Sequence, residues 1–180
     1  IAREAAEPHL HRGKSVQFYI APEGGAPLTQ PIISRRPEII HGLRNLIQNA
    51  VDFSRSEVTV SLSWTQDQIT VEISDDGPGF PPSVLGRIGD PYVRRRRQSV
   101  DRAKRPGYEG MGLGLFIAKT LLERSGAQLT FANSRRHGHA SWTGQATGGA
   151  IVDVIWPRDS LQTDEDWNSA PLGENQRFDA

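Results

Sequence analysis

The chain has 180 residues, enough for one domain with a real core plus ragged ends, and Lys+Arg and Asp+Glu both number 21, so overall charge points to neither nucleic acid nor acidic lipid. The absence of cysteine excludes disulfides, thiolate zinc sites and thiol redox chemistry within it. No apolar run approaches the roughly 20 residues that span a bilayer, and the charged opening Ile1–Arg12 lacks the apolar middle of a signal peptide.

An opening on Ile1 rather than methionine reads as a piece of something longer, with residues 1–13 as a linker broken by Pro8 and Gly13. Lys14–Ala21 predicts a short strand, followed by the Pro22–Glu23–Gly24–Gly25 turn and a second extended piece near Pro31–Ile33. A helix is expected over Pro37–Phe53, with Pro37 suited to its first turn. Val58, Val60, Leu62 and Trp64 alternate with polar residues, as do Ile69, Val71 and Ile73, which predicts an antiparallel hairpin with one buried face. Gly77–Pro82 is a turn-forming loop, and Asp90–Gly110 has no sustained apolar period, only arginines and polar residues. Leu113–Arg124 returns to helical spacing and Gly126 stands at its C-terminal cap. Ala127–Asn133 and Ala150–Trp156 are two further strands, and beyond Pro157 the acidic, polar run to Ala180 predicts a largely disordered tail. This order implies an α/β two-layer sandwich with helices on one face of a mixed sheet.

Four stretches carry chemistry. On the first long helix, Ile39, Ile40, Leu43, Leu46, Ile47, Ala50 and Val51 form an apolar stripe, while His41, Asn45 and Asn49 stand four apart opposite it. Asparagine is a poor helix-interior residue; two of them a turn apart are either a solvated face or amide oxygens facing a magnesium–triphosphate, since Mg²⁺ takes few ligands from protein. Asp75 shares the parity of Ile69, Val71 and Ile73, so its carboxylate points to the apolar face, a costly place unless something donates to it. Asp75–Asp76–Gly77–Pro78–Gly79 is then either an acidic turn or an edge for adenine, whose amino group is such a donor and whose flat ring needs glycine backbone beside it. Gly110–Met111–Gly112–Leu113–Gly114–Leu115 opens a helix, where N–H groups bind phosphate, although a flexible connector is the plainer reading; it is neither a Rossmann fingerprint nor a P-loop. Thr147–Gly148–Gly149–Ala150 by itself is a turn before a strand.

In this order and spacing the four stretches resemble the N, G1, G2 and G3 boxes of histidine-kinase catalytic domains, over roughly Lys14–Trp156. Asp90–Pro91–Tyr92 resembles an altered F box, with tyrosine where phenylalanine is usual. Gly42–Phe53, Asp90–Arg94 and Tyr108–Arg124 are similar to the redox-responsive sensor kinases of proteobacteria, the RegB/PrrB group. The resemblance implies a Bergerat ATP-binding fold, a mixed sheet of about five strands under three helices, spanning residues 14–157 with an ATP lid over about 92–110. It implies ATP and Mg²⁺ as cofactors, Asn49 as the Mg²⁺ ligand, Asn45 beside the phosphates, and Asp75 on the adenine amine. Asp52, Gly77, Gly79, Tyr92, Gly110, Gly112, Leu113, Gly114, Leu115 and Thr147 complete the implied ATP site.

By the same resemblance, the γ-phosphate goes to a histidine on a separate dimerisation domain and then to a response regulator. The full-length protein would be a homodimer, with this part on the cytoplasmic side of an inner-membrane protein. ATPases of the gyrase, HSP90 and MutL type resemble one another in placing a water-activating glutamate one turn before the Mg²⁺-binding asparagine. Here that position is Asn45, an amide that accepts no proton. A serine kinase of anti-sigma type and a non-catalytic ATP-binding relay module remain the alternatives. No histidine here has a phosphoacceptor pattern; His9 and His11 fall in the linker, and His137–Gly138–His139 reads as a surface loop. The Arg94–Arg97 run with Arg102, Lys104 and Arg105 is either a solvated face or a screen for triphosphate or an acidic partner, with no interleaved aromatics to favour nucleic acid.

Overall fold

Period-two alternation builds the sheet in the computed structural model, which describes residues 1–10, 12–85, 88, 113–134 and 149–161. The two alternating runs form β2 (Glu57–Trp64) and β3 (Gln68–Asp75), paired antiparallel with Val60 opposite Ile73 and Leu62 opposite Val71, so that their apolar residues share one face. β1 (Ser15–Pro22) lies parallel to β2 with Phe18 opposite Val60. On the other side β5 (Ala150–Pro157) pairs antiparallel with β3, and β4 (Gln128–Asn133) closes the edge. The five-stranded sheet therefore runs β1-β2-β3-β5-β4, mixed as expected.

The apolar stripe of α2 (Pro37–Phe53) is buried as its spacing predicts, from Ile39 to Val51. It crosses α4 (Leu113–Arg124) at Gly42, where an added Cβ would stand 2.5 Å from Cγ of the fully buried Leu122. Gly42→Ala therefore forces the helices apart or Leu122 out of its rotamer. We expect a loss of about 1–3 kcal/mol in chemical denaturation, despite the better helix propensity of alanine. The indole N–H of Trp156 on β5 donates to Ser125 Oγ at 2.9 Å, and Ser125 in turn donates to the Leu122 carbonyl, which ties the end of α4 to the sheet with both of these buried donors satisfied. Gly126 follows with φ +92°, the left-handed cap expected there.

Both chain ends depart from expectation. Within the segment read as a linker, Ala2–Ala6 forms a helical turn, α1, whose Ala5 and Ala6 are fully buried in the core, and Glu4 pairs with Arg35. His9 ends the following 3-10 turn (Glu7–His9) only 6% exposed; burial first, then the neighbouring Arg12 charge, pushes its pKa below the ordinary value. The segment read as the start of a disordered tail instead opens with α5 (Arg158–Leu161). It is held there because Leu161 is fully buried, its carbonyl accepts the Ser34 N–H, and Arg36 and Arg158 donate to the carbonyls of Ser160 and Thr65. Residues 162–180 lie outside the described residues. The extended piece near Pro31–Ile33 amounts to a single bridge at Ile33, and α3 (Pro82–Leu85) leads off the Gly/Pro loop.

Candidate functional site

Strand parity carries Asp75, the last residue of β3, onto the core face among apolar neighbours, where it is 5% exposed. Its Oδ1 accepts the N–H of Gly77 at 2.7 Å and that of Ala150 at 3.4 Å; Oδ2 takes no part in either bond. Burial pushes this carboxyl above the ordinary range, further than the N–H groups of Gly77 and Ala150 pull it down, and the charge of Asp76 pushes the same way. A buried carboxylate with one oxygen committed is a directed acceptor aimed by its own backbone. Gly149 closes the other side: a Cβ there would meet the Asp75 carbonyl oxygen at 1.8 Å.

On α2, Asn45 Nδ2 donates to the His41 carbonyl at 2.9 Å, and Asn49 Nδ2 donates to the Asn45 carbonyl at 2.7 Å. A carbonyl only accepts, so each amide must turn its nitrogen back to the helix and its Oδ1 outward. Both side chains are half-buried, whereas His41 is exposed. Gly114, in the first turn of α4, stands against this row: its Cβ would be 3.0 Å from Asn49 Nδ2, so the glycine lets the helix start approach Asn49. Leu115, next along α4, packs on the core. Asp52, one turn further down α2, pairs with Arg12 at 3.2 Å. The residues brought together are thus Asn45, Asn49 and Gly114 on one wall, and Asp75, Gly77 and Ala150 on the other. The end of α2 joins the two walls, because the Phe53 carbonyl lies 2.4 Å from where a Gly77 Cβ would stand.

Sequence reasoning missed two further residues. Asp76 accepts the N–H of Arg55 at 2.7 Å, the N–H of Ser56 at 3.0 Å and the Ser56 hydroxyl at 2.6 Å, stapling the α2–β2 turn to the start of the Gly loop. Partial burial pushes its carboxyl up, but the bonds from the Ser56 side chain and from the Ser56, Glu57 and Arg55 backbone outweigh it and hold it at about 2, from an ordinary 3.8. A depressed carboxyl contributes stability that is complete above the unfolded value and is lost as pH falls through the folded one. Acid unfolding of the wild type should therefore steepen from about pH 4 down to about 2, and Asp76→Asn should flatten that part of the profile, as read by circular dichroism. The signal available was the serine pair Ser54 and Ser56 beside a second aspartate, but the partners lie 20 positions apart. Asn133, at the end of β4, holds both main-chain groups of Phe80; a lone asparagine at a strand end carries no sequence signal.

Tyr92, Gly110, Gly112 and Thr147 lie outside the described residues, as do the arginine run, His137, His139 and all of the expected lid. Among the described residues no group of three or more His, Cys, Asp or Glu side chains gathers as a metal cage, and no helix is long and apolar enough to cross a membrane. A cation that keeps mostly phosphate and water oxygens needs no such cage, and the outward Oδ1 of Asn49 fits that lesser demand.

The chain has clear relatives among known proteins. Residues 35–160 match the family described as histidine kinase-, DNA gyrase B- and HSP90-like ATPase. The sensor histidine kinase RegB of Cereibacter sphaeroides is 59% identical over 97% of this chain, which spans only 37% of that protein's length. The signal transduction histidine-protein kinase AfsQ2 of Streptomyces coelicolor is 33% identical over 81% of the chain and 24% of its own length. Among solved structures, the mycobacterial sensor histidine kinase MprB superposes with a TM-score of 0.59 at 20% identity, covering 89% of this chain and 93% of the other, which shows the fold alone. With the family model covering most of the chain and the sandwich in place beneath it, the chain belongs to the histidine kinase-, DNA gyrase B- and HSP90-like ATPase family, with its similarity in the sensor-kinase RegB group.

Proposed function

We propose that the chain is the ATP-binding catalytic unit of a sensor histidine kinase, presenting the γ-phosphate to a histidine on a separate dimerisation domain. The observation that carries this reading is Asp75: a buried carboxylate whose Oδ1 is occupied by Gly77 and Ala150, leaving Oδ2 to accept the adenine amino group. Asn45 and Asn49 turn their amide oxygens outward beside the start of α4, where backbone N–H groups and the helix dipole favour phosphate. Asn49 would hold Mg²⁺, which would offset the negative charge of the triphosphate.

Within this scheme the chain's own groups bind and orient. Asp75 fixes the base, and the two asparagines and the α4 N-terminus align the triphosphate. Phosphoryl transfer asks little more of a protein than positioning and electrostatic stabilisation. Asn45 offers no proton acceptor where a hydrolytic enzyme needs one, so water is not activated and the phosphate is kept for a protein nucleophile. That nucleophile comes from outside: His9 has both ring nitrogens buried, and no other histidine in the chain has a phosphoacceptor pattern. The arrangement implies a dimerisation domain and a response regulator as partners, with the unit on the cytoplasmic side of a membrane-anchored kinase, as the RegB similarity suggests.

Calorimetric titration of the chain with ATP and Mg²⁺ tests the reading. Saturable binding near one nucleotide per chain is expected, followed by acid-labile phosphate on an added RegB-type dimerisation domain. No heat with either ATP or ADP would sink it, and phosphate appearing on serine instead would move the chain to the anti-sigma class.

A further inference from the structure

The loop that leaves Asp75 is held from outside by a residue that the nucleotide reading does not use. Asn133 accepts the Phe80 N–H on Oδ1 at 2.6 Å and donates from Nδ2 to the Phe80 carbonyl at 2.7 Å, so one carboxamide satisfies both main-chain groups of a residue 53 positions away. Gly79, just before, adopts φ +76°, and a Cβ there would lie 2.7 Å from Asn133 Oδ1, so the left-handed turn is pressed against that amide. The Phe80 ring meets Phe131, also on β4, edge-on at a centroid distance of 6.0 Å. Asn133 is itself placed by pairing with Ala150, the residue whose N–H reaches Asp75 Oδ1, and the next residue, Ser134, donates to the Gly149 carbonyl at 2.8 Å. One strand end thus braces both flanks of Asp75: Gly77–Phe80 on one side and Gly149–Ala150 on the other.

We propose that Asn133 is a positioning residue for the nucleotide, holding the Gly77–Phe80 loop against β4 so that Asp75 and the adjacent glycine backbone present one fixed edge to the adenine base. The inference rests on the adenine reading of Asp75. A loop freed at Phe80 must be ordered again at each binding event, which weakens affinity without removing any direct ligand contact. The effect falls on the base edge and not on the γ-phosphate, so it is the same for ATP and ADP.

The test is calorimetric titration of the wild-type chain, Asn133→Ala and Asn133→Asp with Mg²⁺–ATP and with Mg²⁺–ADP, beside thermal unfolding of each. Asn133→Asp keeps size and the acceptor for the Phe80 N–H but sets a second oxygen against the Phe80 carbonyl, so it serves where the alanine variant folds poorly. The expected result is a Kd raised on the order of tenfold for both nucleotides, with stoichiometry unchanged. An unchanged Kd in a folded variant overturns the proposal. So does a loss confined to ATP, or one that appears as reduced stoichiometry, which reports partial unfolding. If the wild type takes up neither nucleotide, the adenine reading fails and this inference with it; if the wild type binds both and the folded variants bind equally well, the inference alone fails.

Discussion

Asp75→Asn should abolish measurable ATP binding while leaving the nucleotide-free domain at least as stable as the wild type. The substituted side chain keeps its oxygen where Gly77 and Ala150 donate, because those two N–H groups need an acceptor there. Its amide nitrogen is then forced to the Oδ2 position, where a donor faces the donor of the adenine amine. Losing a charge-assisted bond and opposing two donors costs about 3 kcal/mol or more, which is at least roughly a hundredfold in Kd. Stability moves the other way. Burial raises the carboxyl of Asp75, so the folded state holds its proton more tightly than the unfolded chain does. For an acid shifted in that direction, stability is greatest while the group is protonated and is lost as pH rises through the folded value. Once it ionises, the wild-type side chain carries a desolvated charge that asparagine lacks. Thermal unfolding followed from below the unfolded carboxyl value of 3.8 up to neutral pH should show the variant level with the wild type at the acid end and ahead at the neutral end. A variant that still binds ATP within a few-fold, or melts several degrees lower at neutral pH, would contradict this account of the carboxylate.

The parity that exposes this cost was legible in the sequence, and so was most of the fold. Alternation in β2 and β3 and the stripe on α2 report burial directly, because one buried face leaves a period in the chain. The amide row at Asn45 and Asn49 was legible as an anomaly on a well-built helix. What escaped notice has no local period. Ala5 and Ala6 sit between charges yet fill the core, and Leu161 is a single leucine in polar company that is fully buried where Ser34 and Arg36 donate to the carbonyls of its segment. Asp76 and Asn133 are surface-type residues by composition, and each acts through main-chain partners distant in sequence. Such contacts are set by tertiary geometry, to which composition and spacing are blind.

Gly149→Ala should damage both stability and nucleotide affinity, and the contrast with Gly42→Ala separates the two effects. At Gly149 the added methyl would fall 1.8 Å from the Asp75 carbonyl oxygen and 2.6 Å from its carbon. Those are main-chain atoms, so no side-chain rotation relieves the clash; β3 and β5 must part where Ser74 faces Ile151. Overpacking of this kind costs about 1–3 kcal/mol or more, and it draws the Ala150 N–H, already at 3.4 Å, away from Asp75 Oδ1. At Gly42 the obstacle is the Leu122 side chain, which has rotamers to spend, at a crossing of α2 and α4 that does not touch Asp75. Titrated with ADP well below its unfolding midpoint, Gly42→Ala should bind within about threefold of the wild type, whereas Gly149→Ala should bind at least about tenfold more weakly. Equal Kd values for the two variants would mean that the backbone around Asp75 does not form the edge that meets the base, and the carboxylate would then have to act without the walls that aim it.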